Sequence, residues 1–212
     1  MRCLPVSMLL ITGMIAQAVI IDRIAIIVRN SVIKDSDIRR DIRVTDFLNG
    51  QPLNFGPAAR KAAADRLINQ AMIRREIRLG DYPQATYQEA DQQLDRLEKQ
   101  KYKSQAAFEQ ALTRYGLTNN ELRTEFKWQL TVLRFIDARF KPAVMVSDRE
   151  VNDYYDQHEA ALRHAHPKES VDDLHGDARN IITGEQVNKL FFDWLDQQRG
   201  DAKIVFHEEG LK

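Results

Sequence analysis

The amino-acid sequence predicts a mostly α-helical chain with a small β-sheet formed by an N-terminal hairpin and a C-terminal strand. Three observations lead there. Val and Ile crowd one short segment near the start. Ser/Thr-x-x-Glu/Gln boxes recur through the middle, each ahead of apolar residues spaced three and four apart. A short apolar run stands close to the end.

The first residues read as a sorting label. Arg2 gives a positive start, Leu4 to Ile15 is mostly apolar, and Ala16-Gln17-Ala18 has the small-x-small pattern that a signal peptidase cuts. Cleavage after Ala18 is expected, with residues 19–212 as one exported domain. The rival is an uncleaved anchor over Cys3 to Ile21, just long enough to span a bilayer. Pro5, Ser7, Thr12, Gly13 and Gln17 weaken it.

Val19 to Val28 reads as a strand, Arg29-Asn30-Ser31 as a tight turn, and Val32-Ile33 as a short second strand. Asp35-Ser36-Asp37 offers caps for a helix carrying Ile38, Ile42 and Phe47, which Asn49-Gly50-Gln51-Pro52 breaks. Pro57 suits the first turn of a helix running to Leu79 over Ala64, Leu67, Ile68, Ala71, Met72 and Ile77, with Gly80 as its stop. Thr86 to Glu89 is a capping box. Its helix, to about Gln100, has one stripe of Ala90, Leu94 and Leu97, so it is expected to be largely exposed.

Ser104 caps a short helix with Phe108, Leu112 and Tyr115, closed by a Schellman turn at Gly116-Leu117. Thr118 to Glu121, the second box, opens a helix to about Phe140. That helix has two apolar stripes: Leu122, Phe126, Leu130, Leu133 and Phe140; and Trp128, Val132 and Phe135. Apolar on two faces, it should be central. Lys141-Pro142 ends it, Ala143 to Val146 is extended, and Ser147 to Glu150 is a third box ahead of Val151, Tyr154 and Tyr155. His158 to Lys168 is polar and reads as a linker. Thr183 to Gln186 reads as a fourth box, before an amphipathic face of Val187, Leu190, Phe191, Trp194 and Leu195. Ala202 to His207 reads as a strand. Edge strands far apart in sequence must meet each other or a partner. Ile204 to Phe206 is therefore expected to join the sheet begun by Ile21 to Val28, closing the domain like a clasp.

Composition limits function. With 31 basic and 31 acidic residues the formal charge is zero, which leaves no electrostatic footprint for nucleic acid. Arg74-Arg75 and Lys99 to Lys103 are small charge runs with acidic residues around them. Cys3 is the single cysteine and would leave with the label, so disulfides, thiol catalysis and Cys-based metal sites are excluded from the mature chain. No phosphate loop, dinucleotide fingerprint, nucleophile elbow or zincin box is present, and no nucleotide or other cofactor is expected. His158, His164, His166 and His175, with Asp172, Asp173 and Asp177, suit zinc in residue type. They form no helical i, i+4 pair and no framed ligand set, and are taken as polar linker without a metal. Trp128, Phe135 and Phe140 are read as core. Phe47, Leu48, Leu53 and Phe55 flank a Gly/Pro break, where the default for apolar groups is satellite packing and the alternative is a contact surface.

Four segments give the chain a resemblance to the N-terminal domain of SurA-type periplasmic chaperones. They are Asp22 to Val28 with its hairpin; Asp65 to Ile73 with Leu79-Gly80 behind it; Phe108 to Leu117 then Glu121-Leu122; and Val146 to Val151 leading to Tyr154-Tyr155. Phe192 to Leu195 and Ala202 to Ile204 also fit. In full-length members a parvulin prolyl-isomerase domain follows the Val151 to Tyr155 helix; here there is no room for it after about residue 160. The resemblance implies an ATP-independent holdase for unfolded or partly folded outer-membrane proteins, working in the periplasm through an apolar groove, without isomerase activity. Phe47, Leu48, Leu53, Phe55 and Met72 are the candidate client contacts, with Met145 a further flexible one. Two alternatives stand beside this: an envelope interaction module docking one folded partner, and a degenerate isomerase. An end-clasped domain also offers strand exchange, hence a homodimer.

Overall fold

A computed structural model describes residues 22–207. The expected leader (residues 1–18), and Cys3 with it, lie outside the described residues.

The chain runs β1 (Ile24–Val28), β2 (Ser31–Lys34), α1 (Asp35–Asn49), α2 (Pro57–Leu79), α3 (Tyr87–Lys101), α4 (Gln105–Tyr115), α5 (Asn119–Phe140), α6 (Asp148–Ala165), α7 (Val171–Gly200) and β3 (Ile204–Phe206), with a single 3-10 turn at Lys141–Ala143. It is mostly helical with one small sheet, of order β2-β1-β3 and antiparallel throughout. The expected clasp forms. Ile26, Ile27 and Val28 pair with Ile33, Val32 and Ser31 on one side and with Phe206, Val205 and Ile204 on the other. Backbone bonds from Arg29 N to Lys203 O (2.9 Å) and from His207 N to Ala25 O (2.8 Å) extend it. The tight turn places Arg29 at φ 51. A bulge between Ile24 and Ile26 breaks the strict alternation of the strand, so the neighbours Ala25 and Ile26 are both fully buried.

Local chemistry explains most helix ends. Thr86, Thr118 and Ser147 accept hydrogen bonds from the N–H groups of Glu89, Glu121 and Glu150, whose carboxylates bond back. Gly116 stands at φ 62; its N–H bonds Thr113 O and that of Leu117 bonds Leu112 O, the two bonds of a Schellman turn. Gly50 ends α1 the same way. Gly80 ends α2 in extended backbone, where any side chain would strike the Tyr82 ring.

Three apolar cores result. The main one packs Ala25, Ile26, Val28 and Ile33 of the sheet on Ile68 and Ile73 of α2, Phe135 of α5, and Val187, Phe191 and Leu195 of α7. Phe135 is fully buried beneath Tyr82, Phe140 and Trp194. A second joins Val44 and Phe47 of α1 to Phe108 and Leu112 of α4 and Leu122 of α5. A third lies between Val151, Tyr155 and Leu162 of α6 and Leu174, Ala178 and Ile182 of α7.

Three expectations need correction. Thr183 does not cap a helix: it lies inside α7, and its hydroxyl donates to Arg179 O at 2.7 Å. The true start is Ser170, whose side chain accepts from Asp173 N. The polar linker shrinks to residues 166–170, because α6 continues to Ala165 and carries His158 and His164. Leu133 is 59% exposed. It does share a stripe with Leu122, roughly 20° away after three turns. The α1–α4 core, however, covers only the first part of α5.

α7 changes its buried face. Leu174, Ala178 and Ile182 point to α6, whereas Val187, Phe191 and Leu195 point to the main core. At 100° per residue the two sets lie roughly 140° apart around the helix. One helix thus carries an α6–α7 hairpin on the main body.

Candidate functional site

The structure separates the five expected contact residues. Phe47 is buried in the α1–α4 core, stacked on Tyr102 at 6.2 Å and edge-on to Tyr115 at 5.4 Å. Leu48 is half-buried against the same core. Met72 is buried in the main core. These three are taken from the surface by packing. Leu53 and Phe55 are each 39% exposed on the loop between α1 and α2. That loop is tied down: Asn54 N donates to Asp46 Oδ2 at 3.0 Å and the Tyr115 hydroxyl to Gln51 O at 2.7 Å. Met145 is 88% exposed beyond α5.

A further apolar surface lies on the sheet. Val32, Ile27 and Val205 are partners across all three strands, so their side chains share one face. The opposite face, with Ile26 and Ile33, is in the core. Val32 is exposed, Ile27 half-buried and Val205 exposed at the rim. Among the described residues β2 and β3 have no outer neighbour, so each offers unpaired backbone groups. Ile26-Ile27-Val28 is apolar throughout, so the sequence does not say which side chain faces outward; the strand pairing does.

Polar and apolar side chains share the concave surface, Val32, Ile33, Val44, Leu67 and Ala71 among the apolar ones. A cleft of about 420 Å³ between β2, α1, α2 and α5 is lined by Arg40, Asp41, Arg74, Arg78, Glu125 and Trp128, among others. The Arg74 guanidinium lies over the Trp128 ring, 3.7 Å from its centroid. Burial pushes the Asp41 carboxyl up, against the hydrogen bond and charge of Arg66. Burial also pushes Glu125 up, against a hydrogen bond from Gln129. Burial lowers Arg74, with Glu125 raising it and Arg40 and Arg78 lowering it again. None of Phe47, Leu48, Leu53 or Phe55 lines this cleft; Met72 lines the adjoining cavity beside the hairpin turn.

The histidines do not converge. His158 stacks on Tyr154 at 4.1 Å and His175 stands edge-on to Tyr155 at 4.4 Å. Among the described residues His166 alone meets acidic groups, Nδ1 to Glu169 at 3.1 Å and Nε2 to Asp177 at 3.8 Å. At the α6–α7 turn the ligand atoms that His166, Glu169 and Asp177 can offer lie within 4.8 Å of one another, and Asp177 Oδ2 is buried without a hydrogen-bond partner among the described residues. Among the described residues no helix is long and apolar enough to cross a membrane. Comparison with known protein families and with curated proteins gives no match.

Proposed function

We infer that this chain is an ATP-independent periplasmic chaperone that holds unfolded or partly folded outer-membrane proteins and makes or breaks no covalent bond. The observation that supports it is the three-stranded sheet, whose outer strands have no further strand partner among the described residues, with Val32 and Val205 exposed and Ile27 half-buried on one face. Segments of an unfolded β-barrel alternate apolar and polar residues. An extended segment of that kind can add its backbone to a free edge and set its apolar side chains against such a row. Leu53, Phe55 and Met145 supply further exposed contacts. Weak contacts at several places suit a protein that must release clients without nucleotide hydrolysis. The leader-like start and the resemblance to SurA-type domains are in line with this compartment and role.

The test is aggregation of a urea-unfolded porin on dilution, followed by light scattering. Near-stoichiometric chain should suppress the scattering without nucleotide. A V32K/V205K double variant should keep its melting temperature and lose most of the protection. Unchanged scattering at a tenfold excess of the chain refutes the reading, and selective capture of one folded envelope protein favours an interaction module instead.

A further inference from the structure

The chain pairs many of its arginines. Arg66 bonds Asp41, Arg123 bonds Asp91, and Arg139 bonds Glu76. Arg29, Arg75 and Arg78 make no such pair among the described residues. These three line one cavity of about 400 Å³, between the β1–β2 turn and the C-terminal half of α2. No carboxylate lines it, and Val28, Ala71 and Met72 supply apolar wall. In a chain with zero formal charge, this is a local concentration of one sign. Arg78 also lines the two neighbouring clefts, where Arg40, Arg74 and Lys127 stand with Asp37, Asp41 and Glu125, so the excess of one sign is confined to this cavity.

The geometry points to a site for the carboxyl terminus of an extended polypeptide, with Arg29, Arg75 and Arg78 around the terminal carboxylate and Val28, Ala71 and Met72 against the last side chain. A guanidinium presents a planar fork of donors that matches a carboxylate in two parallel hydrogen bonds. Three unpaired forks on one cavity repel one another, and a bound anion relieves that repulsion. The apolar wall asks for a ligand whose charge ends an apolar group. The volume is in the range of small-ligand sites, about 300–1,000 Å³. The inference deepens the chaperone reading and rests on it, because an unfolded client offers one free carboxyl end.

The experiment compares two fluorescent ten-residue peptides with an apolar last residue, one ending in a free carboxylate and one in an amide, by anisotropy on the full chain. The free acid should bind at least tenfold tighter. In R75Q/R78Q the two should bind within twofold of each other, with an unchanged thermal melt. R29Q, on the opposite wall, should narrow the difference independently if the double variant does not fold. Equal binding of acid and amide to the wild-type chain overturns the inference, and so does a preference that survives in both variants. Binding of phosphatidylglycerol vesicles, lost in R75Q/R78Q, without discrimination between the peptides, assigns the cavity to lipid and overturns it too. Equal peptide binding with an unfolded porin still protected refutes this site alone. No peptide binding and no porin protection refutes the chaperone reading with it.

Discussion

Val28 of β1 and Ile204 of β3 are cross-strand partners, so a residue near the start of the described chain shares a ladder with one near its end. Val28 is buried and Ile204 packs on the main core. Val28→Ala should cost about 2 kcal/mol in urea unfolding, the range for truncating a buried aliphatic side chain. A double-mutant cycle with Ile204→Ala should return a coupling of about 0.5–1 kcal/mol. Zero coupling would mean that the clasp does not hold in solution.

Thr131 is a buried hydroxyl with both partners inside the protein. It accepts from Ala85 N at 3.1 Å and donates to Lys127 O at 2.8 Å. Thr131→Val keeps the shape and leaves the Ala85 N–H unsatisfied. The expected loss is about 1–3 kcal/mol, and Thr131→Ser should recover most of it.

Two glycines should respond in opposite directions. Gly116 stands at φ 62 with Arg43 3.5 Å from where a Cβ would sit. Gly116→Ala should cost about 1–2 kcal/mol, because an L side chain is strained there. Gly184 is inside α7 with open space around it. Gly184→Ala should stabilise the protein by about 0.5–1 kcal/mol through helix propensity. Thermal melts of both variants check the pair.

The α6–α7 hairpin has its own core, so damage there should stay local. Leu174 is fully buried. Leu174→Ala should cost that core about 3 kcal/mol. Amide exchange should quicken in α6 and the first half of α7 and stay slow in β1 and α2.

Glu125 ties stability to pH. Burial raises its folded pKa above the unfolded value, so the native state binds the proton more tightly. Its ionised form therefore costs stability at neutral pH, and that cost disappears as pH falls through the raised pKa. Glu125→Gln should melt higher than the parent at pH 7, and the difference should shrink on acidification. A difference that grows on acidification would reverse the assignment.

Much of the fold was legible because its signals are local. Thr86–Glu89, Thr118–Glu121 and Ser147–Glu150 cap helices as expected, since Ser/Thr and Glu three apart satisfy each other's backbone groups. Thr183–Gln186 has the same spacing and fails, because Thr183 instead bonds back into a helix already running. The Ser170–Asp173 box that does open α7 went unread, and so did the Leu174, Ala178, Ile182 stripe behind it, diluted by Gly176 and charged neighbours. The candidate site was less legible. Phe47 and Met72 sit on the apolar faces of their helices, and whether such a face meets core or solvent depends on elements distant in sequence. Arg74-Arg75 read as a short charge run because the partners of an arginine, or their absence, are set by tertiary packing.

α7 is unbroken over 30 residues, about 45 Å of helix. Half of it is clamped in the main core and half carries α6. That makes it a lever with an internal fulcrum just before Val187. A load on the far tip, near Ser170, reaches Phe191 and Trp194 as torque along continuous backbone, with no joint in between to absorb it. A force on the hairpin would therefore pull on the same aromatic anchor that supports the sheet.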